Sequence, residues 1–176
     1  MASRRKAERA SPVEEDADFV SVTITAAAAG NYSAGDVLSA SASAGAGVAT
    51  AVELSETYAV KQIAQVVAVC SEDSVVFRLR LHFYDYNPAA ADVEMDDNEA
   101  VDFAKNATGA AGYIGSVTLS AFRDGGTSMA VSETELIDKL LRVASGLSKV
   151  YMVVEVLDAE ANETAAMTVR FDIYFR

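Results

Sequence analysis

The chain has 176 residues, 51% of them apolar, with 26 acidic against 14 basic side chains and a formal net charge of -12. That apolar content excludes a wholly disordered chain, and the length suits one domain whose core needs no disulfide staples. The acidic balance argues against a nucleic-acid-binding body, since phosphate affinity comes from Lys and Arg, and a single cysteine with a single histidine excludes both an intrachain disulfide and a Cys/His zinc framework.

Residues 1–18 read as an extended arm. Arg4, Arg5, Lys6 and Arg9 against Glu8 give the first 12 residues a net charge of +3, leaving -15 for the rest, and Pro12 then leads into an acidic stretch. No apolar run follows the basic residues, so the start does not read as a signal peptide, and no stretch reaches transmembrane length. A cytoplasmic origin is expected, with the sequons at Asn31, Asn106 and Asn162 read as chance triplets.

A single domain is expected over 19–176. Val20, Val22 and Ile24 alternate with Ser21, Thr23 and Thr25, the period of a half-buried strand. The turn-rich stretch 30–36 precedes small residues at 39–47, which suit an exposed loop or a flat edge strand. Strands are predicted at 49–55 and 58–70, and Cys70, after an apolar run, reads as a small core residue. Val75, Phe77, Leu79, Leu81 and Phe83 form one apolar face, while Val76, Arg78, Arg80, His82 and Tyr84 share the opposite one. This alternation predicts a sheet that is dry on one side and polar on the other. Further strands are predicted at 112–122 and 150–157. Residues 158–163 read as a hairpin loop before a last strand that places Met167, Val169, Phe171, Ile173 and Phe175 on one face.

One short helix is expected at 132–146. Ser132 and Glu135 have capping-box spacing, Leu136, Ile137, Leu140 and Leu141 recur at helical intervals, Glu135 and Lys139 are four apart, and Gly146 is a stop. Seven or eight strands separated by turns predict a mainly β, antiparallel sandwich or barrel.

Catalytic signals are sparse. The acidic cluster Asp92, Glu94, Asp96, Asp97, Glu99 and Asp102 could in principle carry acid–base work or bind calcium. An EF-hand register starting at Asp92 puts Asp97 where glycine belongs and Phe103 where glutamate belongs, and no tryptophan supplies a sugar platform. The plain reading is a solvated acidic loop, with a weak cation or intersubunit site as the alternative. His82 reads as a surface or interface histidine; no nucleophile elbow and no phosphate loop occur. No catalytic residue, metal ligand or cofactor site is assigned. Arg78 and Arg80 suit a salt-bridged strand face or a subunit contact.

Three ordered stretches carry a resemblance. Tyr32-Ser33-Ala34-Gly35-Asp36-Val37-Leu38 is followed by RLRLHFYDYNP from Arg78, then DDNEAVDFA from Asp96, and by Gly112-Tyr113-Ile114-Gly115-Ser116-Val117. Together, over about residues 30–120, they resemble the capsid decoration proteins of tailed bacteriophages. The resemblance implies a β-sandwich, often jelly-roll-like, that coats the outer surface of a capsid without catalysis. Its expected partner is the major capsid protein, with a homotrimer as the expected oligomer and neither nucleic acid nor membrane as a direct partner. Arg4, Arg5, Lys6, Arg9, Arg78 and Arg80 are the expected capsid or subunit contacts. The basic arm and Ser39, where the family commonly has glycine, depart from the pattern. Other readings are a tail or head–tail component, a carbohydrate-binding sandwich module and a hydrolase using the acidic cluster.

Overall fold

The structure, a computed structural model, describes residues 18–27, 31–41, 43, 45–54, 60–72, 75–124, 129–133, 139–142, 148–159 and 167–175. The basic residues Arg4, Arg5, Lys6 and Arg9 lie outside these, as do Glu135, Leu136, Ile137 and Gly146.

The alternating segments pair antiparallel into two sheets. The first takes β1 (Asp18–Thr25), β4 (Val60–Cys70), β7 (Arg123–Asp124), β8 (Ala130–Glu133), β9 (Lys139–Arg142) and β11 (Thr168–Phe175), in the order β1-β11-β4-β8-β7, with β9 also on β4. The second takes β2 (Val37–Leu38), β3 (Thr50–Glu53), β5 (Leu79–Tyr84), β6 (Tyr113–Thr118) and β10 (Lys149–Val156), in the order β2-β10-β5-β6, with β3 also on β10. The pairs nest: β1 with β11, β2 and β3 with β10, β4 with β8 and β9, β5 with β6. That is one long antiparallel ribbon rolled up, closed by β11 on β4 and β10 on β5. With β2 and β3 filling one position, β8 and β9 another, and β7 added at the edge, the molecule is a jelly-roll β-sandwich.

The core lies between the sheets. The apolar face predicted for 75–83 is buried throughout, as is the row from Met167 to Phe175, and Cys70 joins them. Each of these large side chains contributes roughly 1.5–3 kcal/mol by leaving water.

The predicted helix at 132–146 is not formed where it can be seen. Ser132 belongs to β8, opposite Ala68, and its hydroxyl donates to the Ser120 carbonyl instead of capping a helix. Lys139 to Arg142 form β9, opposite Ile63 to Val60. The 11-residue β4 offers a long row of backbone partners on this side, and β8 and β9 use its two ends. Non-local pairing has overridden a local helical pattern. The short helix stands elsewhere: α1 (Ala107–Gly112) is capped by Asn106, whose side-chain oxygen accepts from the Gly109 amide at 2.9 Å. Six residues, two of them glycine, are too few to show a helical period in sequence.

The second sheet is covered on both faces. In β5 every residue but Arg80 is buried, and β10 is buried continuously from Met152 to Val156. The outer cover is residues 85–112, which build a second apolar cluster from Val37, Tyr84, Val93, Met95 and Val153 with Tyr86, Val101 and Tyr113 against it. The polar side expected for 76–84 therefore holds at Val76 and Arg78, which are exposed before β5 begins, and at the half-buried Arg80, and fails at His82 and Tyr84.

Phe83 faces the inter-sheet core and Tyr84 the outer cluster. Phe83→Ala should lower the unfolding free energy by about 3–5 kcal/mol, and Tyr84→Ala by a comparable ~3 kcal/mol. On a one-sided sheet the second change would stay within ~0.5 kcal/mol. Urea denaturation of the two variants distinguishes these cases.

Candidate functional site

Two groups of polar side chains, the acidic cluster and the surroundings of His82, lie in and under the 85–112 cover. The acidic cluster is the first part. Asp96 and Asp97 are buried rather than solvated, which corrects the expectation for this loop. The Asp96 carboxylate accepts from the Gly45 amide and, at 2.7 Å, from the Gly47 amide. Asp97 accepts from the Tyr32 hydroxyl at 2.8 Å and the Ser39 amide at 2.7 Å, both on Oδ1. Glu94 accepts from Lys105 Nζ at 2.6 Å and from the Met95 and Asp96 amides, while Asp92 accepts from Asn106, Tyr86 and the Ala89 amide.

These bonds settle what the carboxylates do in the fold. Their oxygens are aimed at protein donors, and among the described residues no group of three His, Cys, Asp or Glu side chains is arranged to hold a metal ion. The Gly45 amide, with help from Gly47, holds the Asp96 carboxyl below its ordinary value of 3.8, against the opposing effect of burial. Asn106 does the same for Asp92. Burial works against ionisation of Glu94, but the Lys105 ammonium and two backbone amides outweigh it.

The small-residue stretch 39–47 is explained by the same contact. It is a loop whose amides meet Asp96 and Asp97, and Gly47 lies so close to the Met95 carbonyl that a Cβ would overlap it. Asn98, at φ 61, turns the chain just beyond. With its amide nitrogen facing them, it donates to Asp36 and to the Asn31 carbonyl at 3.0 Å each.

The second part is the histidine. His82 is 2% exposed, which corrects the expectation of a surface or interface histidine. Its Nε2 lies 2.9 Å from Glu155 Oε2 and its Nδ1 3.3 Å from the Tyr113 hydroxyl. Phe103 stacks on the ring at 5.3 Å and 12°, and Tyr113 lies against both rings. One neutral tautomer satisfies both contacts: Nε2–H donates to the carboxylate and Nδ1 accepts from Tyr113. Burial lowers the affinity of His82 for a proton, Glu155 raises it, Arg80 lowers it, and the net direction is down. Tyr84, beside them, donates to the Phe103 carbonyl at 3.0 Å, and burial pushes its phenol far above the ordinary value of 10.0.

The two described arginines predicted as contacts are both paired within the chain. Arg78 grips Asp158 with Nε at 2.8 Å and Nη2 at 2.7 Å, and its own amide meets the same carboxylate. This bidentate pair is exposed and raises Arg78 while lowering Asp158. Arg80 Nη1 lies 3.2 Å from Glu155 Oε2, the oxygen that His82 also uses, and its Nε is 3.4 Å from Thr118. The salt-bridged strand face expected for these arginines is present. The Glu155 partnership escaped sequence reading because 73 positions separate it from His82.

Compared with known proteins, the chain matches no protein-family model and no curated protein.

Asp96→Ala strands two amides and should lower stability by ~2–4 kcal/mol in urea. Because the folded carboxyl lies below 3.8, its contribution is present above that value and lost as pH falls through the lowered one. Asp96→Asn should therefore flatten the acid side of a stability-against-pH curve below about pH 4. A curve parallel to the wild type would contradict the assignment.

Proposed function

We propose that this chain is a structural protein of a tailed-phage particle, a decoration protein that binds the outer surface of the capsid and stabilises it by many repeated contacts. One observation carries the reading: the separate stretches that resemble the decoration proteins pack as a single unit. Tyr32 of the first is hydrogen-bonded to Asp97 of the second. Around them Val37 N donates to the Glu99 carbonyl at 2.8 Å, Asn98 N to the Val37 carbonyl at 2.8 Å and Val101 N to the Gly35 carbonyl at 2.6 Å. The third stretch forms β6, paired with the RLRLHFY strand β5 from Arg80↔Thr118 to Tyr84↔Tyr113. The jelly-roll sandwich is compatible with the role, although this architecture serves many functions and does not choose among them.

In this reading the partner is the major capsid protein and the working state is a homotrimer, whose cyclic symmetry suits threefold positions on a shell. Modest contacts repeated over a lattice gain avidity without one very tight interface. Residues 1–18, with Arg4, Arg5, Lys6 and Arg9, reach the capsid or an adjacent copy. The pairing of Arg78 and Arg80 with Asp158 and Glu155 leaves them at most a secondary contact role.

Electron microscopy of particles assembled with and without the protein is the direct test, with many copies on the shell expected and a few on the tail axis contradicting it. Deleting residues 1–18 should reduce co-sedimentation with capsids at least about tenfold through lost avidity, with the isolated domain still folded by circular dichroism. Undiminished binding would remove the arm from the mechanism.

A further inference from the structure

We infer that His82, Glu155, Arg80, Tyr113 and Phe103 form an acid-sensitive latch that fastens the 85–112 cover to the second sheet and releases it when His82 takes up a proton. The inference stands on this chain's geometry and is independent of the capsid reading.

The latch joins three strands to the cover. His82 and Arg80 come from β5, Glu155 from β10, Tyr113 from β6, and Phe103 from the cover itself. A single carboxylate oxygen, Glu155 Oε2, serves two nitrogen donors: Arg80 at 3.2 Å and His82 at 2.9 Å. With His82 neutral, the Arg80 and Glu155 charges cancel and the imidazole adds a neutral hydrogen bond. With His82 protonated, two cations share one oxygen in a site where the ring is 2% exposed. Nδ1 then becomes a donor, so the Tyr113 hydroxyl at 3.3 Å must turn its own proton elsewhere. The stacked face of Phe103 offers the new charge little hydration.

The other titratable groups around the ring do not offset this. Tyr84, on the same strand, keeps its proton because burial raises it. Asp102, next to Phe103 in the cover, is exposed, and its charge acts on Tyr84. Glu155 is the carboxylate that meets the ring and favours its proton; Arg80 on the same oxygen opposes it in part, and burial of the ring outweighs what is left.

The imidazolium gains hydration by swinging out from under Phe103, which is itself 44% exposed and lies against the rings of His82 and Tyr113. The Tyr84 hydroxyl is bonded to the backbone carbonyl of Phe103, so an opening that carries the Phe103 backbone with its ring also breaks that bond. For the sign, the closed form holds its histidine below the ordinary value of 6.5 while an opened form returns toward it. Between those two values the open form binds more protons, so acid favours opening. As the chain has one histidine, no other imidazole contributes to this window.

The test is amide hydrogen exchange of the full chain at about pH 7.5 and about pH 5.5, corrected for intrinsic exchange and referenced to β11. Opening of peptides spanning 101–105 should rise several-fold, toward the roughly tenfold limit set by one proton per pH unit. In His82→Gln the pH-dependent rise should vanish. An unchanged wild type, or an equal rise in the variant, overturns the latch. Should His82→Gln fail to fold, the wild-type imidazole can be titrated by NMR. Titration below 6.5 with concerted loss of the Phe103 ring-current shift supports the latch, and titration at or above 6.5 with that shift retained refutes it.

Discussion

The buried carboxylate of Asp97 is the constraint on which the outer layer depends. The cover is long, yet its regular structure is one six-residue helix, so ladders and helical turns satisfy few of its backbone groups. It must be tied down otherwise. A charge taken out of water is costly unless its oxygens find donors. Asp97 finds the Tyr32 hydroxyl and the Ser39 amide, and Asp96 finds the amides of Gly45 and Gly47. These bonds fix the cover against the loop that leads into β2 and the loop that follows it. The isolated bridge Asp36↔Ala100 lies along the same seam. With the cover fixed, Val93 and Met95 pack over β10 and Tyr84, and a sheet that could have faced water becomes an interior layer.

This placement changes the meaning of the chain's acidity. A net charge of -12 on a small domain suggests a strongly solvated surface that repels its neighbours. Much of the densest acidic run is instead turned inward and bonded to backbone amides, Lys105, Asn106 and tyrosine hydroxyls. Negative charge here organises loops. The same economy applies to the arginines of β5, which neutralise Asp158 and Glu155 on neighbouring segments.

The rolled ribbon explains why so many decisive contacts are distant in sequence. Nesting β1 against β11 and β4 against β8 and β9 makes nearly every ladder a long-range one. Such a fold closes large loops before its contacts stabilise it, and local preference then has little authority over the outcome. Ser132 of the expected capping box and Leu140 and Leu141 of the apolar stripe show the result, since they stand in two short strands on β4.

What the sequence determined by itself was the inward face of the segments 75–83 and 167–175 and the sandwich class. The row from Val75 to Phe83 and the row from Met167 to Phe175 alternate with period two, and burial of those side chains is a local consequence of that period. The turn at Gly35, with φ 96, and the small, buried Cys70 were equally legible. Only the tertiary structure decided the fate of the other faces. Nothing in the alternation of Arg80, His82 and Tyr84 reveals that a segment beginning at residue 85 will fold back over it. Nothing in the string Asp96-Asp97 distinguishes carboxylates that face water from carboxylates that face amides about 50 residues earlier. Periodicity reports which residues share a face; what covers that face depends on chain segments that meet only when the ribbon has rolled.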